Sequence, residues 1–324
     1  ALEFYTGVEW RAVNSYVDMG NMGRGIFFGG GWGPAPLTDS TLIDYIQIPT
    51  LGNAVNFGNL VTATVRSGAC SSPIRGLCGG GSFPAEHNTI QYVTIQSAGN
   101  AIDFGDLTGE NNERAETSAL SSSTRGVWGG GGQYPDSATN IMDYVEIMTL
   151  GDALDFGDLQ VKTYSPAGAS NGTRGMYAAG YTQSSVINSF NIASAGTNAS
   201  NFGDLIERRY GPSGSSNRTR MVVAGGQNDA VATKSIEFIT MASEGNGIDF
   251  GNMSVGKVRG CSVADQTRCV FATGDEHPGP AATNIIEFIL IASGGFAEDF
   301  GDMMTETQYA MGSCSDSHGG LGGF

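Results

Sequence analysis

Ser122-Ser123-Thr124-Arg125-Gly126-Val127-Trp128-Gly129-Gly130-Gly131, then Asn140-Ile141-Met142-Asp143-Tyr144-Val145-Glu146-Ile147, then Asp155-Phe156-Gly157-Asp158-Leu159, is one copy of a pattern that fills the chain. Its Arg-Gly step returns at Arg24, Arg75, Arg125 and Arg174, degrades to Arg220-Met221 and Arg268-Cys269, and leaves an echo at Gly319-Gly320. The spacings are 51, 50, 49, 46, 48 and 51 residues. So regular a period means one supersecondary unit copied around an array.

Within a copy the elements are short. From Tyr164 to Leu205, a small-residue segment (Ala167 to Asn171) leads into Arg174-Gly175-Met176-Tyr177-Ala178, then Val186 to Ile192, then Asn201-Phe202-Gly203-Asp204-Leu205. Gly, Ser and Asn turns separate them and no helical period appears, so the spacing predicts four β-strands per unit, A to D. Strand C alternates most clearly, as in Ile43-Asp44-Tyr45 of Ile43-Asp44-Tyr45-Ile46-Gln47-Ile48, where the acidic position faces one way and its apolar neighbours the other. One such sheet would leave an apolar face bare. Stacking copies face to face around an axis covers it, which predicts an all-β propeller.

At 324 residues two domains would be usual, but one ring of this length is ordinary, so residues 1–324 read as a single domain. Gly contributes 50 residues, mostly at fixed repeat positions, where it reads as turn and bulge chemistry. The formal net charge is −16, from 32 acidic and 16 basic residues. Such a surface repels phosphate backbones and anionic lipid, which sets nucleic-acid binding aside. No apolar run reaches the ~18 residues of a membrane span. No basic segment followed by an apolar one opens the chain, so no signal peptide is expected. Five cysteines without metal-ligand spacing read as small buried hydrophobes.

The pattern resembles kelch repeats at three points: the double glycine ending strand B (Gly29-Gly30, Gly79-Gly80, Gly129-Gly130, Gly225-Gly226), an aromatic in strand C (Tyr45, Tyr92, Tyr144, Phe190, Phe238, Phe288), and a second aromatic in strand D (Phe57, Phe104, Phe156, Phe202, Phe250, Phe300). Kelch repeats usually carry Trp at the last position, so the chain looks kelch-like rather than typical. Six B–C–D sets begin at Arg24, Arg75, Arg125, Arg174, Arg220 and Arg268. A seventh start, near Gly319, stops before any strand C, while Leu2-Glu3-Phe4-Tyr5-Thr6 matches strand C copies. The expectation is a seven-bladed kelch-like propeller whose last blade is closed by residues 1–6. Six blades with loose ends is the alternative.

Variation among copies marks where a site could sit. The six arginines would form a ring near the A–B turns, either as an anion site for a sulfated or sialylated glycan or, more in keeping with strict repetition, as a lock between blades. Paired carboxylates Asp103/Asp106, Asp155/Asp158 and Asp299/Asp302 are hard-oxygen donors that could hold calcium, though turn capping explains them as well. The B–C loops vary most and place Trp32, Phe83, Tyr134, Tyr181 and His277 on one rim, the surface that sugar or protein binding needs. The three histidines fall in different repeats, so no catalytic constellation or resident cofactor is expected and the chain reads as non-enzymatic.

The Arg-Gly, Gly-Gly-Gly and Asp-Phe-Gly-Asp-Leu motifs also resemble repeats of virion-associated proteins of marine tailed bacteriophages. That resemblance implies an extracellular or virion setting, as tail fibre, spike or capsid decoration, in contact with surface glycan or another virion or host protein. A kelch-type protein-interaction adaptor and a carbohydrate-active enzyme are the competing readings.

Overall fold

The computed structural model of the chain describes residues 3–5, 10–12, 23–32, 38–39, 41–82, 85–108, 114–133, 137–181, 184–276, 283–305 and 310–321. Among them, six antiparallel sheets, each built on four strands, stand around a common axis. Blade 2 shows the plan: A, Gly68–Ser71; B, Arg75–Gly79; C, Thr89–Thr94; D, Ile102–Asp106. Blades 3 to 6 follow in chain order, their innermost strands being Ser118–Ser121, Ala167–Ser170, Ser213–Ser216 and Cys261–Ala264. Each strand A lies beside the next, so the inner strands ring a central channel.

The ring has six blades, not the seven expected, and the chain's other end closes it. Blade 1 takes strands B, C and D from Arg24–Phe28, Leu42–Gln47 and Val55–Asn59, and strand A from Gly312–Ser315 at the C-terminus. Glu3–Tyr5 pairs instead with Trp10–Ala12 in a separate two-stranded ribbon. Gly319–Leu321 is a 3-10 turn rather than a new strand B. The closure reproduces a turn found inside the other blades. In those, a polar residue after strand A accepts from the arginine amide three positions on: Ser72 from Arg75, Ser122 from Arg125, Asn171 from Arg174, Asn217 from Arg220, Asp265 from Arg268. In blade 1, Asp316 does this across the chain gap, accepting from Gly23 N at 2.8 Å and Arg24 N at 2.9 Å.

Six apolar clusters, one per junction between blades, form a divided core. The strand D motif is a docking strip for the following blade. Its Phe packs edge-on against the strand C aromatic, with centroids 6.0 Å apart for Tyr45–Phe57 and Tyr92–Phe104. Its Gly admits the next C–D turn: a Cβ at Gly251 would lie 1.7 Å from Gly295 O. The motif aspartates sit on this strip, where the Asp106 amide donates to Asp152 Oδ1 at 3.1 Å.

Blade 4 departs in register. Met176 faces Ser189, whereas Leu77 faces Tyr92, so Ser189 holds the aromatic position of strand C and Phe190 falls one residue later. With a two-residue period, that single step turns the ring to the other side of the sheet. Phe190 stacks on Tyr177 in the core between blades 3 and 4.

Candidate functional site

The arginine at the head of each strand B is held in the same way six times. Its Nη1 donates to the carbonyl ending strand C of the next blade: Arg24 to Ile95, Arg75 to Ile147, Arg125 to Ile192, Arg174 to Met241, Arg220 to Ile291 and Arg268 to Ile48. Five guanidiniums also lie over the strand C aromatic of their own blade, as Arg220 does over Phe238 at 4.3 Å. In blade 4, where that position is Ser189, Arg174 lies over Phe202 instead. This belt uses the cations on backbone carbonyls and rings between blades.

Sequence reasoning missed a second belt. The polar position of strand C is buried in every blade: Asp44, Gln91, Asp143, Asn188, Glu237 and Glu287. In blades 2 to 6 it reaches the D–A loop of the preceding blade. Gln91 Oε1 accepts from the Val61 and Thr62 amides at 2.7 and 2.9 Å, and Glu237 Oε2 accepts from Ile206 N at 2.8 Å. The charge on this residue follows the residue supplied by that loop. Asp143 pairs with Arg114, Glu237 with Arg209 and Glu287 with Lys257, whereas the uncharged Gln91 and Asn188 come with Thr64 and Thr163 at the matching position. Burial lowers Arg114, Arg209 and Lys257 from their ordinary values, and the facing carboxylates oppose that shift. Asp44, whose counterpart in the repeat lies outside the described residues, is pushed up by burial to about 6.

A third ring behaves differently. Where each D–A loop enters strand A stand Arg66, Glu116, Ser165, Gly211, Arg259 and Ala310. Their φ angles all fall between 50° and 63°, the left-handed region. Backbone bonds link five of the six neighbouring pairs, from Arg66 N to Ala310 O around to Ala310 N to Arg259 O. The backbone is thus repeated and the side chains are not. Five of these residues have a Cβ in a conformation that costs about 1–2 kcal/mol, strain of the kind that collects at functional positions.

Their side chains meet at the upper end of the channel. Glu116, 5% exposed, lies 3.4 Å from Arg66 Nε and 3.3 Å from Arg259 Nη2. Its other oxygen accepts from Ser165 Oγ at 2.8 Å and Tyr210 OH at 2.7 Å. The Tyr210 hydroxyl in turn accepts from Arg259 Nε and Nη2 at 3.1 and 2.6 Å. Burial works against the charge on Arg259, but Glu116 and Tyr210 outweigh it and hold the guanidinium above its usual value. A cavity of about 110 Å³ lies there, lined by these groups and by hydroxyls at or just before strand A such as Ser67, Thr117, Ser213 and Ser262.

The rim joins this mouth on one side. The Tyr181 ring, 37% exposed, stacks on Tyr164 at 4.2 Å, and Tyr164 meets Tyr210 edge-on at 5.7 Å. Bridges Val65–Ser82, Ala115–Gly132, Tyr210–Gln227 and Val258–Asp275 tie the D–A loops to the following B–C loops, so both emerge on the mouth face. Of the other expected rim residues, Phe83, Tyr134 and His277 lie outside the described residues, and Trp32 is described by its backbone pairing with Thr38 alone.

The lower end of the channel is stoppered by the chain itself. After Asp316, residues 317–321 turn inward. His318 Nε2 lies 3.2 Å from Ser121 Oγ and its Nδ1 accepts from Gly320 N at 3.0 Å. Gly320 has no room for a side chain, since a Cβ would stand 1.9 Å from Ser121 O. Burial depresses His318 to about 4, so the ring is neutral at physiological pH. Around it Ser71, Ser121, Ser170 and Ser216 each donate to the carbonyl of the equivalent residue in the preceding blade, at 2.6 to 2.7 Å.

All five cysteines are free and buried. Among the described residues no helix is long and apolar enough to cross a membrane, and no group of three or more His, Cys, Asp and Glu stands together as a metal site. No protein-family model matches the sequence, and no curated protein is significantly similar to it.

Proposed function

We propose that the protein is a non-enzymatic binding and structural module of an extracellular assembly, and that it offers its mouth face to a surface glycan or to another virion or host protein. One observation carries this reading: at the mouth ring six residues of like backbone angle are of five types, and the charged ones gather on a cavity beside a tyrosine pair whose outer member, Tyr181, is exposed. In the arginine belt the repeat keeps the side chain alike because it does one job per blade. Freedom at the mouth, kept despite backbone strain, suits recognition.

The resemblance to phage virion repeats favours the extracellular setting, as do the net charge of −16 and the three lysines in the sequence. His87 and His318 are engaged with Thr64 and Ser121, and the acidic motif positions serve the junctions between blades.

A glycan array together with capture assays against virion and host-surface proteins tests the proposal. Tyr181→Ala is expected to weaken whichever interaction is found by about 1–2 kcal/mol while the chain still unfolds cooperatively. Binding that maps to the opposite face, or turnover of a bound sugar, would count against it.

A further inference from the structure

We propose that the channel mouth is a receptor for an anionic sugar, with the carboxylate or sulfate held by Arg66 and Arg259 and the sugar ring laid against Tyr181. This names the ligand class of the site just described and rests on the binding-module reading. Three features point the same way. Two guanidiniums converge on the Glu116 carboxylate at the mouth of a protein whose net charge is −16. Arginine forks match carboxylate and sulfate geometry, and a partly enclosed site strengthens the contact.

The lining is hydroxyl-rich and includes two donors that lack a partner. Ser262 Oγ and Thr117 Oγ1 are buried, belong to residues 7% and 6% exposed, and have no hydrogen-bond partner among the described residues. Buried hydroxyls in that state favour a ligand rich in acceptors. Size adds a limit: about 110 Å³ admits an acid group and a few waters but not a whole sugar, whose ring must then stay outside. The Tyr181–Tyr164 stack provides a flat apolar platform there, and Tyr210 bridges it to Arg259. An acidic peptide would use the arginines as well, but it has no flat ring to place on the platform, so the sugar is favoured.

Titrating the full chain with glucuronate, glucose 6-sulfate, glucose, acetate and tetraglutamate, followed by tyrosine fluorescence and calorimetry, tests this. Both charged sugars should bind, and glucose at least about tenfold more weakly. Arg66→Gln should weaken the charged sugars by about tenfold. Glu116→Gln should tighten them several-fold, because the competing carboxylate is gone; a residue that served the fold alone would not produce that gain. Tyr181→Ala should weaken the sugars and leave acetate unchanged, and unchanged acetate binding shows that the mouth persists after the Tyr164 stack is lost. Equal binding of glucose, weaker binding in Glu116→Gln, or tetraglutamate binding as tightly as glucuronate would overturn the proposal. If no charged sugar binds while Tyr181→Ala still abolishes capture of another ligand, the ligand class fails and the module survives. Loss of every partner on glycan and protein panels would remove both.

Discussion

Two rings of residues circle the axis and use the fifty-residue period in opposite ways. The strand B arginines repeat a side chain: six guanidiniums each cap a carbonyl of the next blade. The mouth ring, nine residues upstream of the arginine in five of the six blades, repeats a backbone angle and changes the side chain almost every time. In a chain built from copies, sameness of side chain marks what holds the ring. Sameness of backbone with diversity of side chain marks what the ring is free to present.

The strongest way to break the contrast is to open the ring. Ending the chain at Met311 removes strand A of blade 1, the Asp316 turn and the channel stopper together. Cooperative thermal unfolding should be lost, because the whole stability of a domain is only about 5–15 kcal/mol. Removing residues 1–5 leaves every described blade strand in place and should cost far less, the reverse of what a ring closed by the N-terminus requires.

The next largest effect belongs to the buried polar belt. Arg209→Thr strands the buried Glu237 and should cost about 3–5 kcal/mol in chemical denaturation. Adding Glu237→Gln recreates the Thr64 and Gln91 combination of an earlier junction and should recover most of the loss. A double variant as unstable as the single one would show that these positions are not interchangeable modules.

His318 gives the contrast a pH axis. Its folded value, about 4, lies below the ordinary 6.5, so the unfolded chain binds the proton more readily. The contribution is complete above pH 6.5 and drains away as pH falls through 4, by up to about 3 kcal/mol. Asp44 has the opposite sign: raised from 3.8 to about 6, it favours the folded state more as pH falls through that interval. Melting curves of His318→Gln should lose the acid-side decline, and those of Asp44→Asn should gain more at pH 7 than at pH 4. Smallest is Ala310→Gly. It relieves a left-handed alanine at φ 55° in the mouth ring and should stabilise by up to about 1 kcal/mol, while the arginine belt offers no such easy gain.

Much of the propeller was legible. The period, the strand C alternation and the glycine pairs ending strand B are local, and each copy confirms the last. Closure was not legible. Cys314-Ser315-Asp316 does match a strand A, but nothing local says that its strand B lies almost three hundred residues earlier, and Leu2 to Thr6 has the same apolar alternation as a strand C. The slip at Phe190 has a plain cause: aligning copies on the aromatic overlooked Asn188, the buried polar residue from which strand C is counted. The mouth was hidden because Arg66, Glu116 and Arg259 lie in loops without a motif. Their spacings match the arginine series, so carrying the period into the D–A segments would have found them. That polar strand C residues are buried rather than solvated follows from packing against the preceding blade, which a single copy cannot reveal.

The inward turn after Asp316 has a mechanical consequence. Because Gly319–Leu321 packs at the hub against the strands A of blades 3, 4 and 5, a push on that turn reaches three blades at once rather than a single edge of the perimeter.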